Sequence, residues 1–599
     1  MALAIFSASS NWVHSRLVES FFRALLLVFR IGLEGTIFLI PGLAFACWVG
    51  KRCRLDSVRF IALVLVTSAI VGYVSFWPYL LGAHLGATTA RVIFAIAITA
   101  VLYYAHRQAI DKAQCRSLLI CIACTMAVTT FCSAVGFLYR RSDVPGTQAE
   151  LRFVWPLPDD NVLPYRLTDD LYNSKPFRPF LVSDWKSSDR PPLQTAIVLL
   201  QRPLWSEEQS GLYYQILATF LQSLWVASLW LMLQTLRVDR KTVAVTVGFC
   251  IFSGFFVLNT FFVWPKLLAA AFFVIALVVL RFPEGKTAYC TRTDTIIGGA
   301  AIALAMLSHG GVAFSVVALA IVMLASGQVP KLRSSAWGIL VVCLLLLPWG
   351  AYQKWYDPPG DRLLKWHLAG VINRDSRTFY EALLDAYTKV PLSKIASNKV
   401  ENVRMLFGPA PWNDLREARS TRSSESKRLL RWYKAGVFFF FFQTIGVLNL
   451  GFAAFLHARV CSRELKKLRL ILSLQRLLSL SGVSLAVWCL LMYIPGSTVV
   501  HAGSFGTELL LFAALSISLI TVSPYLTYVL LGFQALFLFP LFALTDAFRR
   551  LRPAESVTSK ADLGMACLMT VSLMSLLWLV RIPTKFEVGD IEPDCSRTP

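Results

Sequence analysis

Two acidic passages interrupt a chain otherwise built of apolar runs: VWPLPDDNVLPYRLTDDLY over 154–172 and LVSDWKSSDRPPLQ over 181–194. The first carries adjacent carboxylates at Asp159/Asp160 and Asp169/Asp170, and the second adds Asp184 and Asp189. Neighbouring carboxylates repel, and a cation, a metal or a shared proton relieves the repulsion; these are conditions in which a carboxylate can act as a general base. Asp159 and Asp160 follow the stiff, partly apolar lead WPLP, which holds them near an apolar surface, so they are the first candidates for chemistry. Asp169, Asp170 and Asp184 read more readily as turn caps or solvated charges. For Asp189 two readings stay open: an N-cap for a helix that starts at Pro191-Pro192, or an acid that orients substrate. Asp160 and Asp189 are also the two acids on which a divalent ion, Mg or Mn, could sit.

Cationic partners are best sought at the ends of apolar spans, where placing a charge is costly and usually has a reason. Lys266 in FFVWPKLLAA, His309 in MLSHGGVAF, and Lys354 and Arg362 in GAYQKWYDPPGDRLLKWHLAG meet that condition. Basic side chains interleaved with Trp355, Tyr356 and Trp366 suit a lipid phosphate headgroup. The bland alternatives are snorkelling for Lys266, a turn role for His309 and an interfacial aromatic belt for the last stretch. His501 in PGSTVVHAGSFG ranks behind these.

The elements that must position these residues follow from composition. The chain of 599 residues is 56% hydrophobic and 16% charged, with mean hydropathy +0.60. Runs long enough to cross roughly 30 Å of hydrocarbon, which takes about 20 helical residues, recur along it. Their continuous apolarity excludes a β-barrel. The expected fold is an all-α polytopic membrane protein with about 13–15 spans, at 31–49, 57–80, 91–106, 117–138, 211–236, 242–260, 266–281, 295–308, 311–326, 335–352, 434–456, 470–494, 507–522, 526–546 and 563–581. Four regions result: N-terminal spans to 116, a core over 117–352 that includes an external loop at 139–210, a second external loop or cap at 353–433, and C-terminal spans over 434–599. The segment 191–205, too short to span, reads as a helix lying along the membrane surface.

A net charge of +23 would point to nucleic acid in a soluble protein, but here the basic residues cluster in short loops such as KRCR at 51–54 and RVDRK at 237–241, where they set orientation. That places both large loops on the exterior. The span count also puts the N-terminus outside, unless 19–49 contains a re-entrant piece, and it leaves the basic FRRLRP at 548–553 on the unexpected side. None of the 13 cysteines lies in the large loops, so no disulfide framework is expected. No P-loop, HExxH, GxSxG or zinc spacing occurs.

Pro158-Asp159-Asp160 followed by Asp189-Arg190-Pro191-Pro192-Leu193 resembles the paired motifs of the GT-C superfamily, the polyprenyl-phosphate-dependent aminoarabinose and mannosyl transferases. There an acidic pair follows Pro in the first external loop, and a Pro-Pro-Leu sequence opens a surface helix. Here Asp160 stands where the family has Glu, and Arg190 where it has His. The resemblance, over about 117–352, implies an inverting glycosyltransferase of a bacterial inner membrane with its active site facing the periplasm. It would take a sugar from a polyprenyl-phosphate donor to a lipid, glycan or protein acceptor. Asp159 or Asp160 would be the base, and Asp189, Arg190, Lys266, His309, Lys354 and Arg362 would bind substrate. Competing expectations are a transporter or lipid-linked sugar flippase, against which the nearly charge-free spans argue, and an enzyme like the O-antigen ligases and polymerases, which depends on Arg and His.

Overall fold

Within lipid a backbone must satisfy its own hydrogen bonds, and helices do so along a single segment. The computed structural model has helices throughout, and among the described residues the only β pairing is the single bridge Val182–Trp185. It describes residues 2–53, 55–107, 111–139, 148–149, 152, 159–373, 375–407, 441–461, 464–493, 505–543 and 561–582, without the side chains of 2–16, 159, 160, 466 and 539–543.

In chain order the first helices are α1 (Ala2–Gly50), α2 (Ser57–Val74), α3 (Phe76–Leu81), α4 (Ala83–His106), α5 (Lys112–Phe137), α6 (Leu163–Tyr172), α7 (Leu193–Gln201) and α8 (Ser210–Thr235). There follow α9 (Arg240–Ile251), α10 (Gly254–Phe261), α11 (Lys266–Val279), α12 (Arg292–Ser308), α13 (Ala313–Ala325), α14 (Leu332–Ala351), α15 (Arg362–Ala369), α16 (Phe379–Thr388) and α17 (Leu392–Phe407). The last are α18 (Phe441–Ile445), α19 (Leu450–Cys461), α20 (Leu465–Leu491), α21 (Phe505–Val522), α22 (Pro524–Ala543) and α23 (Leu563–Leu579).

Nine helices among the described residues are long and apolar enough to cross a membrane, or ten if the bent pair α9–α10 is one span. The chain is therefore an all-α polytopic membrane protein. Its long spans are fewer than the 13–15 expected because several apolar runs form shorter helices. Lys266–Val279, Gly310–Ala325 and Leu563–Leu579 fall below that length, and the expected span at 242–260 is broken at Ser253 with a bend of 66°. α11, at 14 residues, extends only about 21 Å.

α1 runs unbroken with Pro41 inside it, so 19–49 holds no re-entrant piece. Its beginning sits at the end of the bundle that carries the 139–210 loop. There Asp562 accepts from Ser20, pairs with Arg23 at 3.0 Å, and donates its backbone N–H to Leu138 O at 2.7 Å. At the opposite end Asp56, Asp111 and Asp239 cap α2, α5 and α9 by accepting from Arg59, Ala113 and Thr242, and Thr291 with Asp294 forms a capping box on α12. Arg59 clamps the buried Asp294 from α2, with Nε at 2.6 Å and Nη2 at 3.0 Å from its two oxygens.

Small residues let the helices approach closely, as membrane packing requires. A Cβ on Gly42 would meet Val64 O at 1.9 Å, and one on Gly299 would meet Gly338 O at 2.5 Å. These contacts bring α1 against α2 and α12 against α14. α7, expected along the membrane surface, is covered by protein: all nine of its residues are buried, against α2, α3, α4, α6 and α8 among others. Its two glutamines explain why, since both are spent inside the protein.

Candidate functional site

Between α10 and α11 the chain turns through Phe262-Val263-Trp264-Pro265, with Val263 in the left-handed region at φ +59°. A β-branched residue there is strained and persists only if its surroundings hold it. They do so through side-chain amides. Phe261 O accepts from Gln215 at 2.8 Å, Phe262 O from Asn161 at 3.0 Å and Val263 O from Gln194 at 3.0 Å, while Leu268 N donates to Gln222 at 3.1 Å. Gln222 also donates to Gln194, and Tyr214 Oη joins Gln194 to the carbonyl of Asn161. One buried network thus fixes three things together: the Asp159–Val162 turn, the start of α7, and the corner that presents Trp264 and Lys266.

The passage before α7 is held from the other side. Asp189 does not cap α7, whose N-cap is Pro192 without a side-chain bond. It folds back to accept the Lys186 N–H at 2.8 Å and closes the turn Ser187–Asp189. Asp357, buried to 2% exposure, accepts from Ser187 Oγ at 2.6 Å, Ser188 N at 3.1 Å and Lys186 Nζ at 3.4 Å. Tyr352 Oη meets the same Ser187 Oγ at 2.6 Å, and Gln353 donates to Ser188 O at 3.0 Å. The end of α14 therefore seats the Lys186–Arg190 stretch.

On this frame five basic side chains converge. Arg190 Nη1 lies 3.2 Å from His309 Nε2, and its guanidinium is 4.7 Å from the Trp185 ring and 5.7 Å from that of Trp264. Arg362 covers the Trp185 ring at 4.1 Å, pairs with Asp184 at 2.7 Å and reaches Asp189 at 4.0 Å. Lys266 Nζ stands 3.3 Å above Trp264 with no hydrogen bond among the described residues, and the side chain is 2% exposed. His367, stacked on Trp366, feels the charges of both Arg190 and Lys266.

His309 Nδ1 meets the Gly311 N–H at 3.0 Å and Nε2 meets the donor Arg190 Nη1 at 3.2 Å, and a neutral ring accepts at only one of its two nitrogens.

The electrostatics follow from burial. Asp189 is pushed up to about 6, mainly by loss of water, with Lys186 N–H and Arg362 pulling the other way and Asp357 adding to the rise. Burial and then Arg362 bring Arg190 down to about 9, and burial with Arg190 and Lys266 holds His367 neutral, at about 3. Such perturbations gather where groups are prepared for a ligand or a reaction.

Of the residues singled out from sequence, Asp189, Arg190, Lys266, His309 and Arg362 are therefore neighbours. Lys354 is not among them: it is exposed, its ammonium 5.6 Å from the Trp355 ring. The backbone of Asp159 and Asp160 belongs to the turn tied to this corner, while their side chains, like His501 and the 548–553 segment, lie outside the described residues. Asp170 pairs with Arg178 at 2.6 Å and Asp169 with Lys175 and Asn173, which makes both structural.

Sequence reasoning missed Asp357, whose role appears only once α14 meets the loop, and Trp185 and Trp264, which an interfacial belt also explains. It also overlooked two buried carboxyls within spans. Glu34 has neither oxygen hydrogen-bonded among the described residues, and Glu508 accepts from Thr444 at 2.5 Å. The spans are thus not free of acid.

A divalent ion finds little support in Asp189, which sits among Lys186, Arg190 and Arg362, cations that would repel it. Among the described residues no three His, Cys, Asp or Glu side chains group to hold a metal. Comparison of the chain with protein-family models, curated proteins and solved structures finds no match.

Proposed function

We propose that the chain is an inverting glycosyltransferase that takes a sugar from a polyprenyl phosphate to an acceptor at the end of the bundle bearing the large loops. The observation that carries this reading is the cationic cluster of buried Arg190 and Lys266 with half-buried Arg362, walled by Trp185 and Trp264. Taking the Lys266 ammonium out of water is costly unless an anion joins it, and a lipid phosphate supplies that charge.

In this reading the donor phosphate lies against Arg190, Lys266 and Arg362, with His309 beside Arg190. Asp159 or Asp160 accepts the proton of the acceptor hydroxyl, whose oxygen forms a bond to the anomeric carbon. The bond from that carbon to the phosphate oxygen breaks, and the electron pair leaves with the phosphate. Attack opposite the leaving group inverts the centre. Charge that develops on the phosphate meets fixed cations in a site with little water, where they are worth most. A phosphate leaves without prior protonation, so a strong acid is dispensable. The expected setting is a bacterial inner membrane with the site on the periplasmic side, and the acceptor is a lipid, glycan or protein.

A second reading, an enzyme like the O-antigen ligases, draws on one feature: the second loop contributes Arg362 and His367 to the cluster, so Arg and His could carry the transfer without the acids. Asp159→Asn and Asp160→Asn, each followed by profiling of envelope glycans and lipids in the native host, separate the two. Loss of one glycosylated product in either variant supports the aspartate base. Full product in both, with loss in Arg362→Met, supports the second reading. An unchanged profile in all three inserted variants removes both.

A further inference from the structure

α17 turns its polar side to the protein and an apolar side away from it. Asn402 Nδ2 donates to the carbonyls of Cys489 and Met492 at 3.2 and 2.9 Å, Asn398 Nδ2 to Tyr493 O at 3.2 Å, and Lys399 Nζ to Met492 O at 2.7 Å. These carbonyls lie at the end of α20, where a helix leaves its last acceptors without internal donors. The asparagines are the docking face, and both are buried. Leu392, Ala396, Val400 and Val403 recur instead on an exposed sector that spans about 80° of the helix at about 100° per residue, while Phe407 at its end stacks on Phe442. Leu392 is 84% exposed and Val400 53%. Ser393, Ser397 and Arg404 occupy the next sector and are exposed as well.

What covers such a stripe is decided by where the helix lies. α20 is among the helices long and apolar enough to cross a membrane, and α17 is bonded across its terminus, so α17 lies at the depth where that span leaves the apolar layer. Charge agrees: residues 392–407 carry Lys394, Lys399 and Arg404 against Glu401, while Lys389 just before them pairs with Asp385 at 2.9 Å. A helix with one apolar stripe, one polar face and flanking cations binds at the boundary between headgroups and acyl chains. We infer that α17 is an interfacial helix whose apolar stripe lies in the leaflet at the cluster end of the bundle, with anionic lipid headgroups against Lys394. The helix then fixes the height of the cluster, because Tyr493, which receives Asn398, donates its N–H to His367 O at 2.8 Å.

The test uses the full chain in lipid nanodiscs with a genetically encoded spin-labelled amino acid at 392, 400 or 403, and at 393 or 397 for comparison. Relaxation by dissolved oxygen is compared with relaxation by a water-soluble nickel chelate. The depth parameter is expected to be positive at 392, 400 and 403 and to change sign at 393 and 397. Removing anionic lipid is expected to shift the 400 label towards water. Nickel dominating at 400 and 403 overturns the inference, and so does low access to both reagents with spin–spin broadening, which means a second copy covers the stripe. A positive depth unchanged by lipid charge overturns the anionic part.

Discussion

Asp189→Asn isolates the balance between burial and pairing at the cluster. The carboxylate is 6% exposed, accepts one backbone N–H at 2.8 Å and stands 4.0 Å from Arg362, and burial outweighs both attractions, holding the group at about 6. The interval from an ordinary carboxylate at about 3.9 up to that value corresponds to about 3 kcal/mol. Because the folded chain holds this proton more tightly than the unfolded chain does, the stability Asp189 contributes is fully present below about pH 4 and is lost as pH rises to about 6. Asparagine keeps an acceptor for Lys186 N–H and cannot ionise. The variant is expected to match the natural chain below about pH 4 and to exceed it by about 3 kcal/mol above about pH 6. Unfolding free energies in mixed micelles at pH 4, 5, 6 and 7.5 measure the difference. A variant less stable than the natural chain at pH 7.5 would refute the reasoning, since the pairing with Arg362 would then outweigh burial. Activity is expected to fall even as stability rises, the usual relation where a strained site serves function.

Three other substitutions test neighbouring parts of the account. Lys266→Met removes a buried ammonium and keeps the stem, so thermal stability is expected to rise by about 1–4 kcal/mol while affinity for a polyprenyl phosphate, read by native mass spectrometry, falls tenfold or more. Arg59→Ala strips the clamp from Asp294, which is 0% exposed, and should cost about 3–5 kcal/mol in a chemical unfolding series. Asn402→Ala loses two hydrogen bonds to the end of α20, about 1–3 kcal/mol, and hydrogen exchange should accelerate across 392–407 before it does anywhere in α20.

The class of the chain was legible because continuous apolar runs allow only one architecture within lipid, and most long helices fall where those runs do. Breaks were less legible: at Ser253 Gln534 of α22 donates to the freed carbonyls of Phe249 and Phe252, and the Val263 corner depends on amides from α7 and α8, partners remote in sequence. The fate of LQTAIVLLQ shows the same limit. Its apolar letters fit a surface helix equally well, and only Gln194, bonded to Val263 O and Tyr214, reveals a segment buried within the protein. For the site, asking which charges stand at span ends led to Lys266, His309 and Arg362, since such charges are expensive to leave without purpose, and Arg190 came with the Asp189-Arg190-Pro191-Pro192-Leu193 motif. The same question selected Lys354, because interleaved bases and aromatics do not tell which side of the 352–356 turn faces inward.

The most direct measurement reconstitutes the purified chain in lipid vesicles with a polyprenyl-phosphate sugar and a hydroxyl acceptor pool from the native envelope, and follows release of free polyprenyl phosphate. The account predicts release that depends on acceptor, yields a product of inverted anomeric configuration, and is lost in Arg190→Met and Lys266→Met. Movement of the intact lipid-linked sugar across the bilayer, with no polyprenyl phosphate released and no glycosidic product formed, would contradict it.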